Sequence, residues 1–223
     1  MDKRFTHLER PGLVGWAILL VGLFHLGFEI GEEVHDSGSW EHFTQWTLIV
    51  HSFIWMAVGV LILTKHTLSK AMGVFSRIVI PALFSVNTMV CIGITVMLIY
   101  GTGLYEDGVK SYGKGVAQSY NFFVHSIPLL ETSFFIFLLI DVICYHSLVP
   151  LYPISTTLSA VVAIAFLMTY IALFDPSEVY ETSFPVDSGI FIMGSAGAVA
   201  SALLFLLIRE HTNAHKKRFG LSK

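Results

Sequence analysis

The feature that most constrains this fold is a series of apolar runs of about 20 residues, the helix length that crosses the hydrocarbon core of a bilayer. Hydrophobic residues make up 54% of the 223 residues and charged residues only 13%, which is too apolar for an ordinary soluble domain. Backbone groups in lipid must bond within their own segment, so the sequence predicts an all-α bundle of six transmembrane helices in a single domain, residues 1–223. The spans are placed near Pro11 to Ile30, Thr44 to Thr64, Ile78 to Gly101, Asn121 to Leu148, Ser155 to Phe174 and Gly189 to Ile208.

The lysines and arginines are distributed unevenly between the two predicted sides of the membrane. Lys110 and Lys114 fall on one side and the other eleven on the opposite side. Those eleven are Lys3, Arg4, Arg10, Lys65, Lys70, Arg77, Arg209, Lys216, Lys217, Arg218 and Lys223. Because cytoplasmic loops carry the excess of basic residues, both termini are predicted to be cytoplasmic. The chain is therefore predicted to be a multi-pass integral membrane protein, and its sequence has no basic patch of the kind that binds nucleic acid.

Polar and ionisable residues within the predicted spans concentrate in the outer half of the membrane. Such residues are costly in lipid and usually face the interior of a bundle, so they are candidates for a functional site. On the second span, Thr44, Thr47 and His51 fall on one helical stripe. The first and fourth spans contribute His25, Glu29, Asn121, His125 and Glu131.

Short segments of the chain resemble a known family. The stretch Ser39 to Leu48, SWEHFTQWTL, is similar to the segment that opens the second span in the androgen-induced-gene family of multispan membrane threonine hydrolases, which includes the androgen-dependent regulator of tissue-factor-pathway inhibitor. The stretch HSIP from His125, followed by Asp141, resembles the family's pattern of histidine, proline and acidic residue, and the Tyr-Pro pair before the fifth span is similar too. The resemblance implies a multispan helical fold, Thr44 as nucleophile, His125 as its partner, and cleavage of fatty acid esters of hydroxy fatty acids.

The same residue types are suited to ester hydrolysis at a membrane surface. A threonine hydroxyl attacks a carbonyl only when a base takes its proton, and neutral His125 can take that proton and then give it to the leaving alcohol. Asn121 or Glu131 is a candidate for orienting the imidazole, with Thr47 and His51 as further support. The leading interpretation is therefore a membrane-embedded hydrolase that takes an amphiphilic lipid substrate from the surrounding membrane lipids and requires no cofactor.

Three other interpretations stay open at this point. Thr44 at a helix start is a natural N-cap, whose oxygen would satisfy a backbone N–H. A metal or haem site can be formed by His25, Glu29, His51 and His125, because imidazole and carboxylate bind zinc, copper and iron, and paired histidines hold haem. The chain can instead be a channel, a transporter or an accessory subunit of a membrane complex, in which the same residues line a path or brace an interface.

Overall fold

The computed structural model describes residues 10–35, 42–100, 109–110, 113–147, 152–176, 179 and 185–218, and the regular elements within these ranges are all helical. Residues 39–41, part of the segment that resembles the hydrolase family, lie outside the described residues. A π-helical turn, Phe75–Val79, connects the third and fourth α-helices. The α-helices are α1 (Pro11–His35), α2 (Phe43–Leu63), α3 (Lys70–Val74), α4 (Ile80–Tyr100), α5 (Lys114–Leu138), α6 (Ile140–Ser147), α7 (Tyr152–Leu173) and α8 (Val186–Arg218).

Several of these helices have the length and apolar character of membrane spans, as predicted. Among the described residues, five stretches qualify: Pro11–Gly31, Phe43–Leu63, Lys70–Val96, Lys114–Leu138 and Asp187–Ala214. Helix α7 is also apolar, but its described apolar stretch, Thr157–Leu173, is shorter. The chain is therefore an all-helical bundle of membrane-length helices, whereas the sixth span and the side on which the termini lie stay predictions.

The third span begins earlier than the sequence predicts. The predicted start near Ile78 follows Arg77, whereas the helix begins at Lys70. The Ser69 hydroxyl caps this helix by accepting a hydrogen bond from the backbone N–H three residues later, at 3.1 Å. Arg77 donates from Nε to the Gly73 carbonyl at 3.0 Å, so this cation lies within the helical segment and does not mark its end.

The fourth predicted span, residues 121–148, corresponds to α5 and α6. Helix α5 extends about two turns beyond the predicted start, to Lys114, and Leu139 separates α5 from α6. Pro128 lies inside α5 and does not end it. Proline within a membrane helix is tolerated where neighbouring helices provide partners for the freed backbone groups. The helix therefore carries the polar residues near its proline as one continuous element.

A hydrophobic core joins the helices of the bundle. Its fully buried side chains include Ile18 of α1, Trp55 of α2, Ile80 of α4, Leu139 after α5 and Ile208 of α8. Lipid tails are as apolar as these side chains, so association in a membrane depends on close van der Waals packing and on interhelical hydrogen bonds. The outward-facing side chains are themselves apolar, for example Leu20, Phe137 and Leu203.

Glycines allow α1 and α2 to approach closely. A Cβ atom on Gly59 would lie 2.8 Å from the backbone nitrogen of Leu19 and 3.0 Å from the carbonyl oxygen of Gly15. A Cβ atom on Gly22 would lie 2.8 Å from the carbonyl oxygen of Ser52. The atoms in the way belong to the backbone and cannot move aside, so this helix pair requires glycine at both positions.

We expect Gly59→Ala to destabilise the protein by about 1–3 kcal/mol, because the added methyl group overpacks the contact between α1 and α2. Gly27→Ala is the matched control, since a Cβ atom there meets nothing within 4 Å. Thermal unfolding of both variants in detergent checks the expectation. Equal unfolding temperatures for the two variants would contradict the close helix contact.

Candidate functional site

Two histidines and a glutamate meet inside the bundle, between α1, α2 and α5. The Nε2 atom of His25 lies 2.7 Å from Oε2 of Glu131, and Nε2 of His51 lies 3.3 Å from the same oxygen. Both histidines are completely buried, and the side chain of Glu131 is 24% exposed. One ligand-type atom from each residue lies within 4.8 Å of the others. We call these three residues the His–Glu–His cluster.

The helices that carry the cluster are held in register by aromatic rings. Four residues beyond the contact of His51 with Glu131, the rings of Trp55 and Phe135 lie 4.8 Å apart. Because both contacts advance by the same number of residues, α2 and α5 run in the same direction. The His25 ring lies 5.1 Å from the His51 ring, which brings α1 to the same level.

Helix α4 joins the cluster through Asn87. Its Nδ2 atom donates to the Thr132 hydroxyl at 2.9 Å and to the Pro128 carbonyl at 3.2 Å, and it lies 3.3 Å from Nδ1 of His51. Asn87 is 1% exposed, so its amide is removed from water. A buried amide with these partners connects α4 to both α2 and α5.

The structure brings His25 and His51 together, but it adds Glu131 where the metal interpretation of the sequence has Glu29 and His125. Glu29 is buried one turn along α1 from His25. The carboxylate of Glu131 contacts both imidazoles, so it occupies the space between them that the plane of a haem would need. Glu131 and Asp141 are the two acidic residues of the fourth predicted span. Acidic residues are rare within apolar spans, so their presence was the sequence signal that could have indicated Glu131 as a site residue.

Thr44 lies in the first turn of α2 but does not cap it. The N-cap position belongs to His42, with an extended backbone at φ −90° and ψ 133°, and Phe43 is the first helical residue. The interpretation of Thr44 as the N-cap is therefore wrong. Thr44 is buried, and it makes no hydrogen bond with His125 in the described part of the chain. The neighbouring candidate Thr47 donates to the Phe43 carbonyl at 3.0 Å, a bond within its own helix.

His125 has a defined orientation on α5. Its Nδ1 atom lies 2.8 Å from the carbonyl oxygen of Asn121. Since a carbonyl can only accept, Nδ1 carries the proton and the lone pair of the neutral ring is on Nε2. The backbone of Asn121, and not its side chain, thus orients the imidazole, because the Asn121 amide donates to the Ala117 carbonyl at 2.9 Å. His42, the N-cap of α2, lies within the range over which its charge would act on His125, which brings the start of α2 near this ring.

Aromatic side chains hold the start of α2 against α7. The Phe43 ring lies 5.1 Å from Tyr170 and 5.5 Å from Phe166, and the Trp46 ring lies 5.7 Å from Phe174. Phe43 directly precedes Thr44 and Trp46 follows it by two residues, so these contacts hold the helical turn that contains Thr44. Edge and tilted ring contacts of this kind stabilise a pair beyond the burial of area.

The chain matches no protein-family model, no curated protein and no solved structure. The resemblance of the segments around Thr44 and His125 to the hydrolase family therefore stays a prediction.

We expect Asn87→Leu to destabilise the protein by about 1–3 kcal/mol, because it leaves the buried Thr132 hydroxyl and the Pro128 carbonyl without their interhelical donor. Thr95→Val is the control on the same helix, since the exposed Thr95 hydroxyl bonds only within α4. Chemical or thermal unfolding in detergent measures both. A variant at position 87 as stable as the control would show that the amide does not connect the helices.

Proposed function

We propose that this chain is a membrane-embedded hydrolase of lipid esters, with Thr44 as nucleophile and His125 as general base. The observation that carries the proposal is that the buried Thr44 hydroxyl has no capping role, while a histidine with its lone pair on Nε2 lies near the same helix end. The resemblance to the threonine hydrolase family selects the same two residues.

The depths of Thr44 and His125 support their cooperation. His51 and Glu131 are in contact, and α2 and α5 run in the same direction. Thr44 precedes His51 by seven residues and His125 precedes Glu131 by six, which corresponds to about 9–10 Å along each axis. The two residues therefore lie at nearly the same level of the bundle. Catalytic hydrogen bonds often tighten only in the substrate complex, so the proposal requires substrate binding to bring the Thr44 hydroxyl and His125 Nε2 together.

The proposed reaction has two steps. The Thr44 oxygen attacks the ester carbonyl as its proton passes to Nε2 of His125, and the imidazolium then protonates the departing alkoxide to release the alcohol. The product of this step is an acyl-threonine. In the second step His125 takes a proton from water, the hydroxide adds to the acyl carbonyl, and the Thr44 oxygen leaves with a proton from the histidine. The acid is released and the enzyme is restored.

The start of α2 offers a means of stabilising the tetrahedral intermediate. Thr44 is the second helical residue, so it lies at the positive end of the helix dipole. The N–H groups of Gln45 and Trp46 donate to the His42 carbonyl at 3.1 and 3.4 Å. The N–H of Thr44 itself, which precedes them in the first turn, is the donor that we propose for the developing oxyanion. A nucleophile at this place suits an amphiphilic ester, whose polar group stays near the membrane boundary while its chains extend between apolar helices.

The proposal includes six spans with both termini cytoplasmic and the Thr44 end of α2 on the opposite side. In a background where Cys91 and Cys144 are replaced by serine, we expect Lys110→Cys to react with a membrane-impermeant maleimide added outside or from the lumen. Lys217→Cys is expected to react only after permeabilisation. The reverse labelling pattern would overturn this topology.

Thr44→Ala and Thr44→Val are expected to abolish ester hydrolysis and covalent labelling by a fluorophosphonate, because each removes the attacking oxygen. Thr44→Ser is expected to retain part of the activity. His125→Ala is expected to lower kcat by about 10²–10⁴-fold, the usual contribution of a positioned base. Turnover of fatty acid esters of hydroxy fatty acids per folded molecule is the measurement.

Thr169→Ala is the matched control, since the exposed Thr169 hydroxyl bonds only to its own helix, at the Ala165 carbonyl. It is expected to keep full activity. Normal turnover by folded Thr44→Ala would disprove the assignment of the nucleophile and the hydrolase proposal with it.

A further inference from the structure

We propose that the His–Glu–His cluster of His25, His51 and Glu131 binds a divalent transition-metal ion of the zinc class inside the membrane bundle. The inference does not depend on ester hydrolysis. It rests on the convergence of three ligand atoms from three helices, on their burial, and on the amide of Asn87 behind one of the histidines.

Two of the three distances between donor atoms are close to those of a coordination sphere, and the third, between the two histidines, is within 4.8 Å. Ligands at about 2.0–2.2 Å from a tetrahedral zinc ion lie about 3.3–3.6 Å from one another. The 3.3 Å between His51 Nε2 and Glu131 Oε2 already has this value. The 2.7 Å between His25 Nε2 and the same oxygen is a hydrogen bond, so zinc binding has to displace one proton and widen this contact by less than 1 Å.

The surroundings of the cluster direct its polar atoms toward one point. His25 faces Glu131 with Nε2 at 2.7 Å, whereas its buried Nδ1 atom makes no hydrogen bond among the described residues. Metal binding through Nε2 therefore leaves the Nδ1–H of His25 without an outer-shell acceptor, which is a cost to this site. His51 Nε2 lies at ion-pair distance from Glu131 without hydrogen-bond alignment. Two histidines and a carboxylate deep in membrane helices are costly, and a shared cation compensates for that cost.

Asn87 is positioned as an outer-shell partner of His51. A histidine that binds metal through Nε2 carries its proton on Nδ1, where it needs an acceptor. Nδ1 of His51 lies 3.3 Å from Nδ2 of Asn87, whose Oδ1 atom is buried and has no hydrogen-bond partner among the described residues. Rotation of the amide by 180° exchanges these atoms, so that Oδ1 accepts from His51 and from the Thr132 hydroxyl. This rotation removes a donor from the Pro128 carbonyl, which is its cost.

The donor set selects the class of ion. Two imidazoles and one carboxylate are typical of zinc sites with an open fourth position and of iron(II) sites, whereas magnesium and calcium prefer oxygen ligands. The three residues supply three positions, and the partial exposure of Glu131 gives water or another small ligand access to a fourth. An open position is the arrangement in which a bound metal can also activate water.

Zinc titration of the purified full-length protein in detergent tests the site. After treatment with a chelator, the protein is expected to bind one equivalent of Zn²⁺, and one equivalent of Co²⁺ is expected to give the visible absorption bands of a four-coordinate ion. Glu131→Gln and His51→Ala should weaken zinc binding by more than the roughly 10–100-fold that loss of an outer-shell partner costs. Asn87→Asp, which places an acceptor beside His51, is expected to strengthen binding by about tenfold.

The controls separate this site from the proposed hydrolase. His66→Ala removes an exposed histidine outside the cluster and is expected to bind zinc normally. Thr44→Ala should bind zinc with unchanged affinity even where hydrolysis is lost. Absence of stoichiometric Zn²⁺ and of Co²⁺ bands in the wild-type protein overturns the site, and so does equal zinc affinity in the wild type and folded Glu131→Gln.

Discussion

The contact of one carboxylate with two imidazoles, inside helices that otherwise present apolar side chains, is the interaction on which the arrangement of this bundle depends. Ionisable groups are expensive in hydrocarbon unless they satisfy one another. Glu131 meets His25 and His51 at 2.7 and 3.3 Å, and Asn87 extends the network to α4. The rotation of four helices about their axes is therefore constrained by a few polar atoms, because turning any one helix away would expose a buried polar group to lipid.

Close packing supplies the remaining stability, since a membrane offers little hydrophobic driving force between helices. Gly22 and Gly59 allow the backbones of α1 and α2 to touch, and this places His25 and His51 on facing surfaces with their rings 5.1 Å apart. Four residues after His51 and Glu131, the rings of Trp55 and Phe135 form an apolar contact between α2 and α5. The contacts of α2 with α1 and with α5 are thus each stabilised by both polar interactions and close apolar packing.

The two proposed sites lie at different positions along the axes of α2 and α5. Thr44 and His125 lie about 9–10 Å nearer the start of α2 and α5 than His51 and Glu131 of the His–Glu–His cluster. His125 is oriented by the backbone of its own helix, and Thr44 is positioned by aromatic contacts between α2 and α7. Different contacts therefore position the two proposed sites, although both sites depend on the alignment of α2 with α5.

The sequence by itself determined the helical class, most membrane-length segments and the position of each polar residue along its own helix, because these follow from apolar run length and from distance along one helix. It did not determine which polar residues meet. Helical periodicity gives the face of a side chain on its own helix, but not the rotation of that helix against its neighbours. Only the tertiary structure joined Glu131 to His25 and His51, bonded His125 to its own backbone, and gave the cap of α2 to His42 in place of Thr44.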